Sequence, residues 1–292
     1  MEIRFAFSLS AITEDIRLWE SAADETANDA ALVHFVVMKY TYSELAGMID
    51  HALLHPTMTD AELRAGCELT VRYGVASVCI KPYAVKEAVD LLKGSGVAAG
   101  TVIGFPHGSN ATEVKRYETQ LACHDGATEI DVVINVGKAL SGDFDFVEQD
   151  VREVVEETHR HGALVKVILE TDFLPDDEIK IRLCEICERA NADFVKTSTG
   201  FGFVKQGDGG HNYKGATAHD LALMRAHTPP AMQLKASGGI RTLDDLILVR
   251  DLGATRCGTS ATAALLDEYR RREAVGLAES QGERKDLGGG GY

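Results

Sequence analysis

From about residue 48 onward, short apolar runs alternate with longer amphipathic segments. The runs predict strands at MIDHALL (48–54), VASVCI (75–80), AAGTVIGF (98–105), TEIDVVIN (128–135), ALVKVIL (163–169), ADFVK (192–196), MQLKA (232–236) and ATRCG (254–258). The segments between them read as helices from their start signals. Thr59 to Glu62 and Asn110 to Glu113 have capping-box spacing, and Thr242 to Asp245 opens a further acidic first turn. Gly74, Gly126, Gly162 and Gly253 stand near the helix ends, where left-handed backbone is often needed.

Strand and helix alternating in this way, at roughly 20 to 40 residues per unit, fit parallel strands joined by right-handed crossovers, and eight units close a barrel. The expected fold class is α/β, a (β/α)8 TIM barrel over residues 48–275. A doubly wound open sheet would also alternate, but no G-x-G-x-x-G fingerprint follows the first strand. Residues 1–47 lie outside the repeat. Their polar, helix-compatible stretch 11–31 and the capping box from Thr41 to Glu44 predict an N-terminal helical extension, packed on the barrel bottom or on a neighbouring subunit. Residues 276–292 are polar and glycine-rich, which predicts a flexible tail whose terminal Tyr292 either reaches back over the active site or is inert.

Composition narrows the partners. Lys and Arg total 30 against 45 Asp and Glu, a formal charge of −15, which repels phosphate backbones and anionic membranes over most of the surface. Neither nucleic acid nor a membrane is expected as a partner, while a local basic pocket for a small anion remains compatible with that balance. Cys67, Cys79, Cys123, Cys184, Cys187 and Cys257 fall mostly inside apolar runs, as reduced core thiols of a cytoplasmic protein do. Cys184 and Cys187 form a C-x-x-C without a second pair, which favours core packing over a zinc or redox site. No apolar run approaches the ~18 residues of a membrane span. The opening MEIRFAFSLS lacks the features of a secretory signal. Oligomeric state, homo-oligomers included, is left open.

In such a barrel the chemistry belongs at the carboxyl ends of the strands. Three lysines qualify: Lys196 ends the sixth strand, Lys235 nearly ends the seventh, and Lys166 lies inside the fifth. Lys196 and Lys235 sit on neighbouring strands, and crowding two ammonium groups in a partly desolvated cavity lowers the pKa of at least one. An amine neutral near pH 7 attacks carbonyls. Asp131 in EIDVVIN is expected to face the barrel interior, because a charge against the apolar helix layer would be costly. There it can hold water and shuttle protons. A structural salt bridge without turnover is the bland alternative. Lys235-Ala-Ser-Gly-Gly239 and Gly258-Thr-Ser260 follow strands seven and eight, where backbone N–H groups and a helix amino terminus suit a phosphate. His51 and His55 lack the glutamate of H-E-x-x-H, so no metal site is expected. His107 is placed at the pocket mouth without a proton-transfer role.

The segments IDHALLHP (49–56), SVCIKP (77–82), TVIGFPHG (101–108), EIDVVIN (129–135), LVKVILE (164–170), DFVKTSTGFG (193–202) and KASGGIRT (235–242) together resemble the deoxyribose-phosphate aldolase family, over roughly residues 45–272. The resemblance implies a class I aldolase without cofactor or metal. Such an enzyme reversibly cleaves 2-deoxy-D-ribose 5-phosphate to acetaldehyde and D-glyceraldehyde 3-phosphate through a lysine Schiff base. It assigns the Schiff base to Lys196, the lowering of its pKa to Lys235 and proton transfer to Asp131. By the same matching, Asp50 and Cys79 become pocket residues, and Gly200, Gly238, Gly239, Thr259 and Ser260 a phosphate grip, with Lys166, Thr197 and Gly258 in the same substrate-binding set. Phe201 stands where some members carry a phosphate-contacting lysine, and the segment 204–215 is longer than in compact members. Lys205 or Lys214 could replace that charge, or the segment is an unrelated surface insertion. A phosphate-binding barrel isomerase and a non-catalytic sugar-phosphate sensor are the competing functions.

Overall fold

The computed structural model describes residues 38–276 except 206 and 208. The expected extension before residue 38 and the tail beyond 276, with Tyr292, lie outside the described residues.

The eight expected strands form at β1 (Ile49–Leu53), β2 (Ser77–Ile80), β3 (Ala98–Ile103), β4 (Glu129–Val133), β5 (Leu164–Ile168), β6 (Phe194–Lys196), β9 (Gln233–Ser237) and β10 (Arg256–Thr259). They pair in parallel in the order β1-β10-β9-β6-β5-β4-β3-β2 and close on themselves. Every residue of β2 and of β4 is buried, as expected of strands covered by side chains on one face and helices on the other. Leu53 shows how closely a helix approaches: a Cβ at Gly66, in the helix Asp60–Tyr73, would come within 2.3 Å of Leu53 Cδ2.

Local start and stop chemistry follows the sequence at most ends. Thr41, Thr59 and Thr242 each close a capping box, and Gly74 ends the helix Asp60–Tyr73 in left-handed backbone at φ 65°. The box expected from Asn110 does not form: the helix Thr112–His124 begins after Ala111, with no side-chain cap. Thr112 instead donates to Asp150 Oδ1 at 2.8 Å, so the first turn is fixed by a neighbouring helix. Cys67, Cys79, Cys184, Cys187 and Cys257 are buried free thiols and Cys123 is partly buried. Cys184 and Cys187 both point into the core from the helix Asp177–Arg189. The long segment after β6 folds as an antiparallel pair, β7 (Val204–Lys205) with β8 (His211–Asn212). No helix among the described residues is long and apolar enough to cross a membrane.

Candidate active site

Strand register brings the charged residues together. Lys196 pairs with Lys235 across β6 and β9, and Asp131 with Lys166 across β4 and β5. Side chains level with one another on adjacent strands point to the same face, here the barrel interior. Asp50, Asp131, Lys166, Lys196 and Lys235 are all at most 2% exposed. Asp131 faces inward as expected, and its Oδ2 accepts from both Lys196 Nζ and Lys235 Nζ at 2.7 Å. Lys235 Nζ also lies 2.6 Å from Asp50 Oδ2. Lys166 Nζ meets three carboxylates: Glu129 at 2.6 Å, Asp131 at 3.0 Å and Asp50 at 3.4 Å. Arg256 pairs with Asp50 and, at 2.7 Å, with Glu129. Beneath them the Phe194 ring faces both Lys166 and Arg256.

These ion pairs join four cationic side chains to three carboxylates. Full ionisation would leave one surplus positive charge in a medium that solvates charge poorly, and one neutral amine removes it. Lys196 is the least compensated, since its single ion-pair partner, Asp131, is shared with two other amines. Burial pushes the Lys196 pKa down, Lys235 adds to that, and the pull of Asp131 in the other direction does not cancel it. For Lys235, burial is outweighed by Asp131 and Asp50, so its pKa is raised. Burial is outweighed by carboxylates at Lys166 too, which stays firmly charged. Burial acts upward on Asp131, but Lys166, Lys196 and Lys235 together hold it well below the usual carboxylate range. Crowding by Lys235 is the expected cause of a neutral amine. The structure corrects the order: burial comes first and Lys235 is the smaller contributor.

The other expected residues are placed as follows. Cys79 is buried beside the amines, and burial pushes its thiol up to about 11, so it stays protonated at neutral pH. Lys166 is fully enclosed by its carboxylates. The Thr197 hydroxyl donates to Ser237 O at 3.1 Å and accepts from Ser237 N at 3.0 Å, so it ties β6 to β9. Gly258 makes room: a Cβ there would come within 2.6 Å of Ser237 Oγ and 3.3 Å of Lys235 Cε. Gly200, Gly238 and Gly239 have positive φ. Thr259 ties the end of β10 to the loop after β9 through Ile240 O at 2.8 Å. Ser260 is exposed just before the helix Thr262–Ala274. His51 turns outward, its Nδ1 2.9 Å from Thr262 Oγ1, and burial lowers its pKa to about 4. His107 is exposed after β3. Lys205 and Lys214 are exposed on and after the hairpin, and Lys214 binds Asp172 through its backbone N–H at 2.6 Å.

Glu129 and Arg256 complete the network and were not singled out from the sequence. Glu129 carried one signal, since it lies two before Asp131 and so on the same side of its strand; Arg256 carried none, because no residue of its strand had been placed inside.

A closed parallel barrel with a desolvated amine beside a carboxylate at its mouth defines a class, the barrel enzymes that form imines with carbonyl substrates. Residues 45–261 match the model of the DeoC/LacD family aldolases, and the chain belongs to that family. It is 48% identical over 233 residues to the deoxyribose-phosphate aldolase of Rhodopirellula baltica, covering 80% of this chain and 92% of that one. The same enzyme from Thermococcus gammatolerans is 43% identical over 232 residues, 79% of this chain and 98% of that one. Among solved structures, the tetrameric deoxyribose phosphate aldolase of Aeropyrum pernix superposes with a TM-score of 0.70 at 34% identity, over 79% of this chain and 92% of that one.

Proposed function

We propose that the chain catalyses the reversible aldol cleavage of 2-deoxy-D-ribose 5-phosphate to acetaldehyde and D-glyceraldehyde 3-phosphate, with Lys196 as the Schiff-base lysine. The observation that carries this reading is the buried Lys196 amine, which shares Asp131 Oδ2 with Lys235. The relatives from Rhodopirellula baltica and Thermococcus gammatolerans are named deoxyribose-phosphate aldolases, which supports the reading.

Neutral Lys196 Nζ adds to the sugar aldehyde, and loss of water leaves a protonated imine at C1. Acetaldehyde has two carbons, so the bond that breaks is C2–C3. The hydroxyl proton on C3 passes to a base as the C3 carbonyl forms, and the bonding pair moves into an enamine over C1 and C2. Asp131, ionised and held between amines, is placed to take that proton through water and to return one to C2. Hydrolysis of the resulting imine releases acetaldehyde and restores the amine. Lys235, which stays charged, keeps Asp131 in place and opposes protonation of Lys196. The phosphate sits against Gly200, Gly238, Gly239, Thr259 and Ser260 at the start of the helix Thr262–Ala274. Binding energy from a group that never reacts then positions the reacting carbons.

Incubation with acetaldehyde and borohydride, followed by peptide mapping, tests this. One ethyl group on Lys196, absent in Lys196→Ala, is the expected result. A protein that binds the sugar phosphate and neither labels nor cleaves it would contradict the assignment.

A further inference from the structure

Glu170 is a non-glycine residue held in left-handed backbone, at φ 57° and ψ 61°, just past Leu169 after the end of β5. Such backbone is strained for a residue that carries a side chain and persists only where the surroundings require it. Its carboxyl group is buried and bonded entirely toward the loop that follows Lys196. Thr199 N donates to Oε1 at 3.2 Å and to Oε2 at 3.3 Å, and the Thr199 hydroxyl donates to Oε2 as well. Thr199 Oγ1 in turn accepts from Phe201 N at 2.9 Å, so the turn containing Gly200 is bonded on both sides. A Cβ at Gly202 would come within 2.9 Å of Glu170 Oε1, so the chain folds tightly around the carboxyl group.

Two residues on, Asp172 does the same for the other loops. It accepts from Lys214 N at 2.6 Å and from Gly215 N at 3.0 Å, and it also takes a hydrogen bond from the Ser198 side chain. Gly215 lies directly against the loop after β9: a Cβ there would come within 2.5 Å of the Gly238 carbonyl, and Ala216 N donates to Gly238 O at 3.2 Å. A single short segment therefore fixes the turn at Gly200 and, through Gly215, the turn at Gly238.

We propose that Glu170 and Asp172 are positioning residues for the phosphate end of the substrate, a two-carboxyl bracket that sets the Gly200 and Gly238 turns without touching the reacting carbons. The inference rests on the aldolase reading and deepens it. Burial pushes both carboxyl groups upward, Glu170 to about 7, so the bracket presents less negative charge to a bound phosphate than two free carboxylates would.

The test compares 2-deoxyribose 5-phosphate with phosphate-free 2-deoxyribose in Glu170→Ala, Glu170→Gln and Gly202→Ala. In Glu170→Ala, kcat/KM for the phosphorylated sugar is expected to fall about 10-fold or more, chiefly through KM, while the phosphate-free sugar changes by less than about threefold. Glu170→Gln keeps the shape and an acceptor oxygen, so it should recover to within about threefold of the parent. Gly202→Ala presses a methyl on the Glu170 carboxyl group and should reproduce the selective loss; it decides the matter if Glu170→Ala does not fold. Equal losses on both sugars, or no loss on either, would overturn the bracket. Ethyl labelling of Lys196 in each variant separates this from failure of the aldolase reading, because labelling persists if only the bracket is wrong.

Discussion

Among the described residues two buried lysines, Lys115 and Lys196, have lowered pKa values, and only Lys196 ends a barrel strand. Lys115 is fully buried between the helix Thr112–His124 and the barrel wall, with Asp150 at 2.6 Å and Val133 O at 2.9 Å. Burial is the largest downward influence on it, as on Lys196, and Asp150 opposes that influence. Lys115 has its own carboxylate, which also takes a bond from Thr112, and packs against Gly104, where a Cβ would come within 2.9 Å of Lys115 Cε. Lys196 shares one carboxylate oxygen with Lys235 in a cluster where cations outnumber carboxylates, at the end of a barrel strand. The two lysines are alike in burial; a shared counterion and a place at a barrel strand end distinguish Lys196, the proposed nucleophile.

The largest effect that sharpens this contrast is on turnover. Lys196→Ala should lower kcat by at least about 10^4-fold, because it removes the proposed imine-forming amine. Lys115→Met should leave kcat of the folded protein within about threefold, since Lys115 lies outside the site. Steady-state kinetics on 2-deoxyribose 5-phosphate reads both. Stability should reverse the order: Lys115→Met leaves Asp150 buried without its partner, at a cost of about 3–5 kcal/mol, and Lys115→Met/Asp150→Leu should recover most of it in denaturant unfolding. The smallest effect concerns pH. The amine must be neutral to attack, so activity rises with pH through the Lys196 pKa, and this acid limb lies below the ordinary lysine value of 10.5. Lys235→Met removes a like charge and leaves Asp131 freer to pair with Lys196, so the limb in a pH–rate profile should move upward. A limb that stays in place would show that burial acts alone.

Most of this was legible in the chain. The eight strands were marked by apolar runs, and Lys196, Lys235 and Asp131 stood out because charge within or ending a buried strand needs a reason. Other features depended on information that local patterns do not carry. Arg256 and Glu129 begin their strands, where a charge reads as a solvated end; alternation with Asp131 turns Glu129 inward, but only the pairs across the barrel show Arg256 beside Asp50 and Glu129. Thr197 and Gly258 lie beside phosphate-type motifs, and the sequence did not show that the first also joins β6 to β9 or that the second makes room for Ser237 and Lys235. Asn110 carries capping-box spacing, but Asp150 takes Thr112, a contact 38 residues away in sequence. Glu170 gave no signal, because left-handed backbone at a glutamate has no pattern in the sequence.

The most direct test follows the Lys196 ammonium itself by NMR titration of 15N-labelled lysine side chains, with Lys196→Arg used for assignment. Lys196 should lose its proton below pH 10.5 while Lys235 remains charged beyond it. A Lys196 that holds its proton as long as Lys235 does would contradict the account.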